Sequence, residues 1–153
     1  MPADASRPPL PGAGLFACNF NRVRSPMAEA LMKRALGNWV YVDSCGLKRE
    51  AGDAGAGADP IVRSVMSEIS CDLESHAPKT FDDLEDASFD LVISLTPEAQ
   101  HRAVEMTRGR SAEIEYWPTF DPTLTDGSRE ARMAAYREVR DSLAQRIAER
   151  FPR

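Results

Sequence analysis

Cys18 and Arg24, with five residues between them and Ser25-Pro26 directly after, bring a nucleophile, a planar cation and a helix start into one short stretch. A cysteine thiolate is a strong nucleophile, and a guanidinium fork matches two oxygens of a phosphate in a way that an ammonium does not. Attack on phosphorus expels an alkoxide or phenolate, which leaves readily only if an acid protonates it. Asp121, in Trp117-Pro118-Thr119-Phe120-Asp121-Pro122, is the candidate for that acid. The chemistry these residue types suit is phosphoryl transfer. A plainer reading makes Cys18 a buried strand-end cysteine, Arg24 a surface cation and Asp121-Pro122 an ordinary turn. Arg, Ser and Pro following the cysteine in register favour the chemical reading.

The elements around these residues decide whether they meet. Leu15-Phe16-Ala17-Cys18 reads as a short buried strand. A loop that turns a strand into a helix within five residues points successive amides inward, and the positive helix terminus continues the same field. Such a nest favours the thiolate form of Cys18 and makes Asn19, Phe20, Asn21, Arg22, Val23, Arg24 and Ser25 the expected phosphate-binding loop. Ser25 reads as the cap and Pro26 as the first position of a helix. Its apolar stripe is Ala28, Leu31, Met32, Ala35 and Leu36, and Gly37 stops it.

Further along, Trp39–Val42 reads as a second strand, ending at Asp43-Ser44-Cys45-Gly46. A Gly/Ala-rich loop leads to Asp59-Pro60, a cap and start for a helix with Ile61, Val62, Val65, Met66 and Ile69 inside. Thr80–Asp83 has capping-box form for a short helix near Leu84. Leu91–Leu95 is the most strand-like segment, followed by a helix from Pro97 to about Met106. Ile114–Trp117 is a fourth, less apolar strand expected near an edge. Ser128 caps a long last helix with Met133, Tyr136, Val139, Leu143 and Ile147 as its stripe. This alternation predicts an α/β fold: one domain, an open parallel four-stranded sheet with helices on both faces. The domain is expected over 14–153, behind a flexible Pro-rich tail at 1–13. Parallel strands end on one edge, so the loops at Cys18, Ser44, Thr96 and Asp121 are expected to share a rim.

Composition narrows the partners. A chain of 153 residues with a net charge of −5 does not suit a nucleic-acid binder, and no apolar run approaches the roughly 18 residues of a membrane span. Cys18, Cys45 and Cys71 are odd in number and widely spaced, with no signal-peptide pattern before them, so disulfides are not expected and a cytoplasmic location is. Two histidines and no Cys-x-x-Cys leave no metal set, and no cofactor is implied. The loop lacks the glycine patterns of nucleotide-binding turns.

Taken together, Cys18, five residues, Arg24-Ser25-Pro26, the Met-Ala-Glu-Ala that follows and the late Asp121-Pro122 resemble the low-molecular-weight protein tyrosine phosphatase family, which includes thioredoxin-coupled arsenate reductases. The resemblance covers almost the whole chain after the tail. It implies a phosphocysteine mechanism: Cys18 attacks, Arg24 and loop amides hold the phosphoryl oxygens, and Asp121 protonates the leaving group and later activates water. It further implies that Asn21 keeps the loop in shape, that Ser25 bonds the thiolate, and that Ser44, His76 and Pro122 support the site. The implied partners are a phosphorylated protein or small phosphomonoester, with phosphate or another oxyanion as ligand.

Departures from the family pattern bear on the substrate. Val23 stands where many members carry a second cysteine, and Leu95–Glu98 lacks the relay cysteines of the arsenate reductases. Cys45 and Cys71 then read as small buried hydrophobes. Thr123 and Leu124 follow Asp121-Pro122 where phosphotyrosine-gripping aromatics are usual, and 47–58 has no aromatic at all, so Phe20 either supplies a wall or packs inward. Arsenate reduction and a catalytically weak phosphate or phosphoprotein-binding module are the alternatives to a phosphomonoesterase.

Overall fold

A computed structural model describes residues 9–51, 57–84 and 88–153. Its elements are β1 (Ala13–Cys18), α1 (Arg24–Leu36), β2 (Tyr41–Gly46), α2 (Pro60–Ser67), β3 (Leu91–Ser94), α3 (Pro97–Met106), β4 (Glu113–Tyr116) and α4 (Arg129–Arg150). The strands form one parallel sheet in the order β2-β1-β3-β4. Strand β1, which ends at Cys18, is therefore central, and the weakly apolar β4 is an edge as its composition predicts. Most of the expected Pro-rich tail, residues 1–8, lies outside the described residues.

Alternation along β1 sends its side chains to two cores. Phe16 and Cys18 face α1, α2 and α4 among Met27, Leu31, Val62, Tyr136 and Leu143. Leu15 and Ala17 face α3, with Cys45, Val92, Ala99 and Ala103. The chain leaves β1 toward one face and β3 toward the other. The crevice between their carboxyl ends is the switch point where open α/β sheets place ligands.

Helix starts follow the capping rules at three of four places. Asp59 accepts from the Ile61 and Val62 amides, Thr96 from Ala99 and Ser128 from Ala131. The exception is Ser25. Helix α1 begins at Arg24, its boundary residue Val23 supplies no cap, and the Ser25 hydroxyl is occupied by Cys18 and Asn21 instead.

Strand β2 lies further on than its residue types suggest, at Tyr41–Gly46 rather than Trp39–Val42. The Trp39 and Val40 amides both donate to the Leu36 carbonyl and finish α1, which leaves Trp39 exposed. Pairing with β1 then carries the ladder through polar Asp43 and Ser44, because Ala17 and Cys18 need Cys45 and Gly46 as partners. Tertiary pairing overrides local propensity here. The short helix expected near Leu84 is a 3₁₀ turn at Phe81–Asp83.

Helix α4 is held to α2 by more than its stripe. Arg140, buried, donates to the Val65 carbonyl and to Glu68, and Arg137 bonds the same carboxylate. Hydrogen bonds from Arg137 and then Arg140 pull the Glu68 carboxyl down to about 2. This clamp fixes the two helices that form one wall of the site.

Candidate active site

The loop after Cys18 is held from behind by a chain of oriented hydrogen bonds. Asn21 is fully buried and left-handed at φ 58°, a conformation that costs a non-glycine residue about 1–2 kcal/mol. Four bonds hold it there. The Lys79 amide donates to Asn21 Oδ1 at 3.0 Å, which turns Nδ2 toward Ser25 Oγ and Ser44 Oγ, both at 2.8 Å. The Asn21 carbonyl accepts from His76 Nε2 at 2.8 Å. Ser44 passes its own proton to Glu29 Oε1, an acceptor only.

That polarity runs to the sulfur. Ser25 Oγ accepts from Asn21, so its proton is free for Cys18 Sγ, 2.9 Å away, with the Cys45 carbonyl more distant at 3.4 Å. A hydroxyl donating to sulfur favours its anionic form. Gly46 completes the backing, since a Cβ there would stand 2.8 Å from the Asn21 nitrogen and 2.8 Å from the Phe20 carbonyl carbon. Only glycine lets the end of β2 pass this close to the loop.

The loop's side chains divide between back and front. Asn19 turns away from the opening, its Oδ1 accepting from Thr96 Oγ1 at 2.8 Å, and Asn21 and Ser25 bond behind the loop. Cys18, Phe20, Arg22, Val23 and Arg24 line an open cavity of about 230 Å³, joined by Glu50, Asp59, Asp121, Thr123, Arg132 and Tyr136. Arg22 runs along its wall, donating from Nε to the Gly57 carbonyl at 2.8 Å and pairing with Glu50 at 2.7 Å.

Arg24 spans the gap to the loop after β4. It donates to the Thr119 carbonyl at 3.0 Å and lies 3.8 Å from Asp121 Oδ2. Asp121 caps the 3₁₀ turn Pro122–Leu124, and its Oδ1 accepts from the Thr123 amide and hydroxyl. One carboxylate oxygen is thus tied down while the other faces Arg24. The expected rim is present: the turns after β1, β2, β3 and β4 meet through Leu47 N–H to Asn19 O, Thr96 to Asn19 and Arg24 to Thr119.

Glu50, Asp59, Thr123, Arg132 and Tyr136 enter the cavity without having been picked out as site residues. Asp59 was legible only as a helix cap and Tyr136 only as core. In the fold the Asp59 amide donates to the Arg22 carbonyl at 3.0 Å. Burial first, then the Asp59 carboxylate, pushes the Tyr136 hydroxyl up to about 12, so it stays protonated.

The other two cysteines are free and buried. Cys45 pairs with Ala17 and therefore faces α3, on the opposite side of the sheet from Cys18. Burial, then the nearness of Cys18, pushes its thiol up. Cys71 lies beyond α2 with Arg34 Nη1 3.7 Å from its sulfur. No described helix is long and apolar enough to cross a membrane.

A family model described as low molecular weight phosphotyrosine protein phosphatase matches residues 14–151. A protein of Halalkalibacterium halodurans named arsenate reductase is 31% identical over 132 residues, covering 86% of this chain and 89% of its own. A low molecular weight protein-tyrosine-phosphatase of Streptomyces coelicolor is 31% identical over 121 residues, 73% of this chain and 71% of its own. Among solved structures, the Erwinia amylovora tyrosine phosphatase amsI superposes with a TM-score of 0.72 at 23% identity, over 94% of this chain and 95% of that one. An arsenate reductase in a phosphate-binding state gives 0.71 at 24% identity, over 90% and 94%. At these identities the structures speak for the fold, and the family match speaks for descent.

Proposed function

The chain belongs to the low molecular weight phosphotyrosine protein phosphatase family, and on that premise we propose that it is a phosphomonoesterase working through a phosphocysteine. The Cys18 thiolate attacks phosphorus. A sulfur–phosphorus bond forms as the bond to the carrier oxygen breaks, and Asp121 gives that oxygen its proton. Asp121 then takes a proton from water, which attacks phosphorus, breaks the sulfur bond and releases phosphate. Arg24 and the loop amides hold the phosphoryl oxygens throughout. The observation that carries this reading is the meeting of Cys18, Arg24 and Asp121 in one cavity, with Arg24 3.8 Å from Asp121. Asn21, Ser25, Ser44, His76 and Pro122 serve as supports.

Phosphotyrosine is the carrier we favour, because the aromatic Phe20 lines the cavity, with Lys48 over its ring, where Thr123 and Leu124 offer no ring. The three free cysteines suit a reducing compartment, so the cytoplasm is part of the proposal. Arsenate reduction is the competing reading on the strength of the relatives' names. It needs a second thiol to form a disulfide with Cys18 as arsenic takes the two electrons and leaves as arsenite, and Cys45, on the far face of the sheet and held protonated by burial, does not supply it.

Turnover of p-nitrophenyl phosphate and of a phosphotyrosine peptide by the parent, Cys18→Ser and Asp121→Asn tests the proposal. Cys18→Ser is expected to lose at least about 10³-fold in kcat and Asp121→Asn about 10²-fold or more. Full turnover by Cys18→Ser sinks the phosphocysteine. Arsenate-dependent oxidation of thioredoxin by the parent would install the competing reading.

A further inference from the structure

Three guanidinium groups line the cavity, and two are committed. Arg24 donates to Thr119 and faces Asp121, and Arg22 donates to Gly57 and pairs with Glu50. The third, Arg132, is exposed and, among the described residues, its side chain has no hydrogen bond or ion pair. The three carboxylates that line the cavity with it are occupied: Glu50 by Arg22, Asp59 by the amides of α2 and by Tyr136, and Asp121 Oδ1 by Thr123.

Helix geometry places that free charge. Tyr136 follows Arg132 by four residues, so the two share one face of α4 a turn apart. Tyr136 is buried at 2% exposure, and Arg132 is exposed and still acts on the Tyr136 hydroxyl. Arg132 therefore stands over Tyr136, one turn nearer the mouth. A chain with a net charge of −5 repels acidic molecules on average, which gives a cation with no side-chain partner among the described residues a selective effect at this cavity.

We propose that Arg132 binds a second anion on the substrate, a carboxylate or phosphate carried close to the phosphoryl group, and so directs the site to acidic carriers. This rests on the phosphomonoesterase reading of the same cavity. The test compares kcat/KM for two phosphotyrosine peptides that differ only in Glu or Gln on either side of the phosphotyrosine. The parent is expected to prefer the Glu peptide about fivefold, mainly through KM, as an exposed ion pair allows at most. Arg132→Gln should bring the ratio to about one, and Arg132→Glu should turn it in favour of a Lys-flanked peptide. A parent ratio near one, or a preference that survives in Arg132→Gln, overturns the assignment. So does a loss that is equal for both peptides, since that makes Arg132 a general attractor of phosphate. If the parent hydrolyses p-nitrophenyl phosphate but neither peptide, phosphotyrosine as the carrier fails, and if it hydrolyses none of the three, the phosphomonoesterase reading fails. The ratio of the two peptides' dissociation constants, measured by calorimetry on the parent and Arg132→Gln, then decides the role of Arg132 by the same criteria.

Discussion

Behind the loop at Cys18 the polar side chains of Asn21, Ser25 and Ser44 are fully buried and each is hydrogen-bonded, whereas in front of it Phe20, Asp121 and Arg132 are partly or largely exposed. The back holds a left-handed residue and a serine aimed at sulfur in one arrangement. The front is an open bowl of charged groups, some paired and some not. On the proposed reading, rigidity is placed where the phosphoryl group must be gripped the same way for every substrate. Freedom is left where the carrier enters, and loops on a rigid scaffold are where specificity is usually set.

The largest way to break this contrast is at Gly46. A methyl group there would meet the Asn21 nitrogen and the Phe20 carbonyl carbon at 2.8 Å. Gly46→Ala is expected to cost about 1–3 kcal/mol of stability, as overpacking does, and to lower kcat/KM at least about tenfold. Denaturant midpoints read beside kinetics on an aryl phosphate would show it, and an unchanged midpoint with unchanged kinetics would mean the back is softer than argued.

A smaller effect is expected at Ser25, whose hydroxyl serves the sulfur. Ser25→Ala removes a bond to an anionic partner, worth about 1.5–3 kcal/mol, so alkylation of Cys18 by iodoacetamide at neutral pH should slow about tenfold or more. Equal alkylation rates would assign the thiolate to the loop amides alone. The smallest effect belongs to the front. Phe20 is 36% exposed, so Phe20→Ala should shift stability by no more than about 0.5 kcal/mol while raising KM for aryl phosphates a few-fold over alkyl phosphates. A large loss of stability would place Phe20 with the back of the loop.

Much of this site was legible before the fold. Cys18, Arg24 and Asp121 announce themselves by residue type, and Asp59-Pro60 marks the start of α2 with its cap. At Ser25 the local signature of a cap fails while the role implied by the family resemblance agrees with its 2.9 Å contact to Cys18, because a serine before a proline looks the same whether its hydroxyl serves an amide or a sulfur. Strand β2 was placed early because Asp43 and Ser44 look like a turn, and only the ladder to β1 makes them strand. Glu50, Arg132 and Tyr136 carried no signal, being one more Glu, one more Arg and one more apolar stripe residue.

The alternation of strands and helices, the residue types of the stretch from Cys18 to Pro26 and the late Asp121-Pro122 are all readable along the chain. These rest on neighbours along the chain, whose spacing is readable. Only the folded arrangement shows that Lys79 orients Asn21, that Gly46 must lack a side chain, that Cys45 faces away from Cys18 and that the Arg132 side chain has no partner among the described residues. Each of these depends on which strand edges and helix faces meet across tens of residues, and side-chain direction there is set by pairing register rather than by residue type.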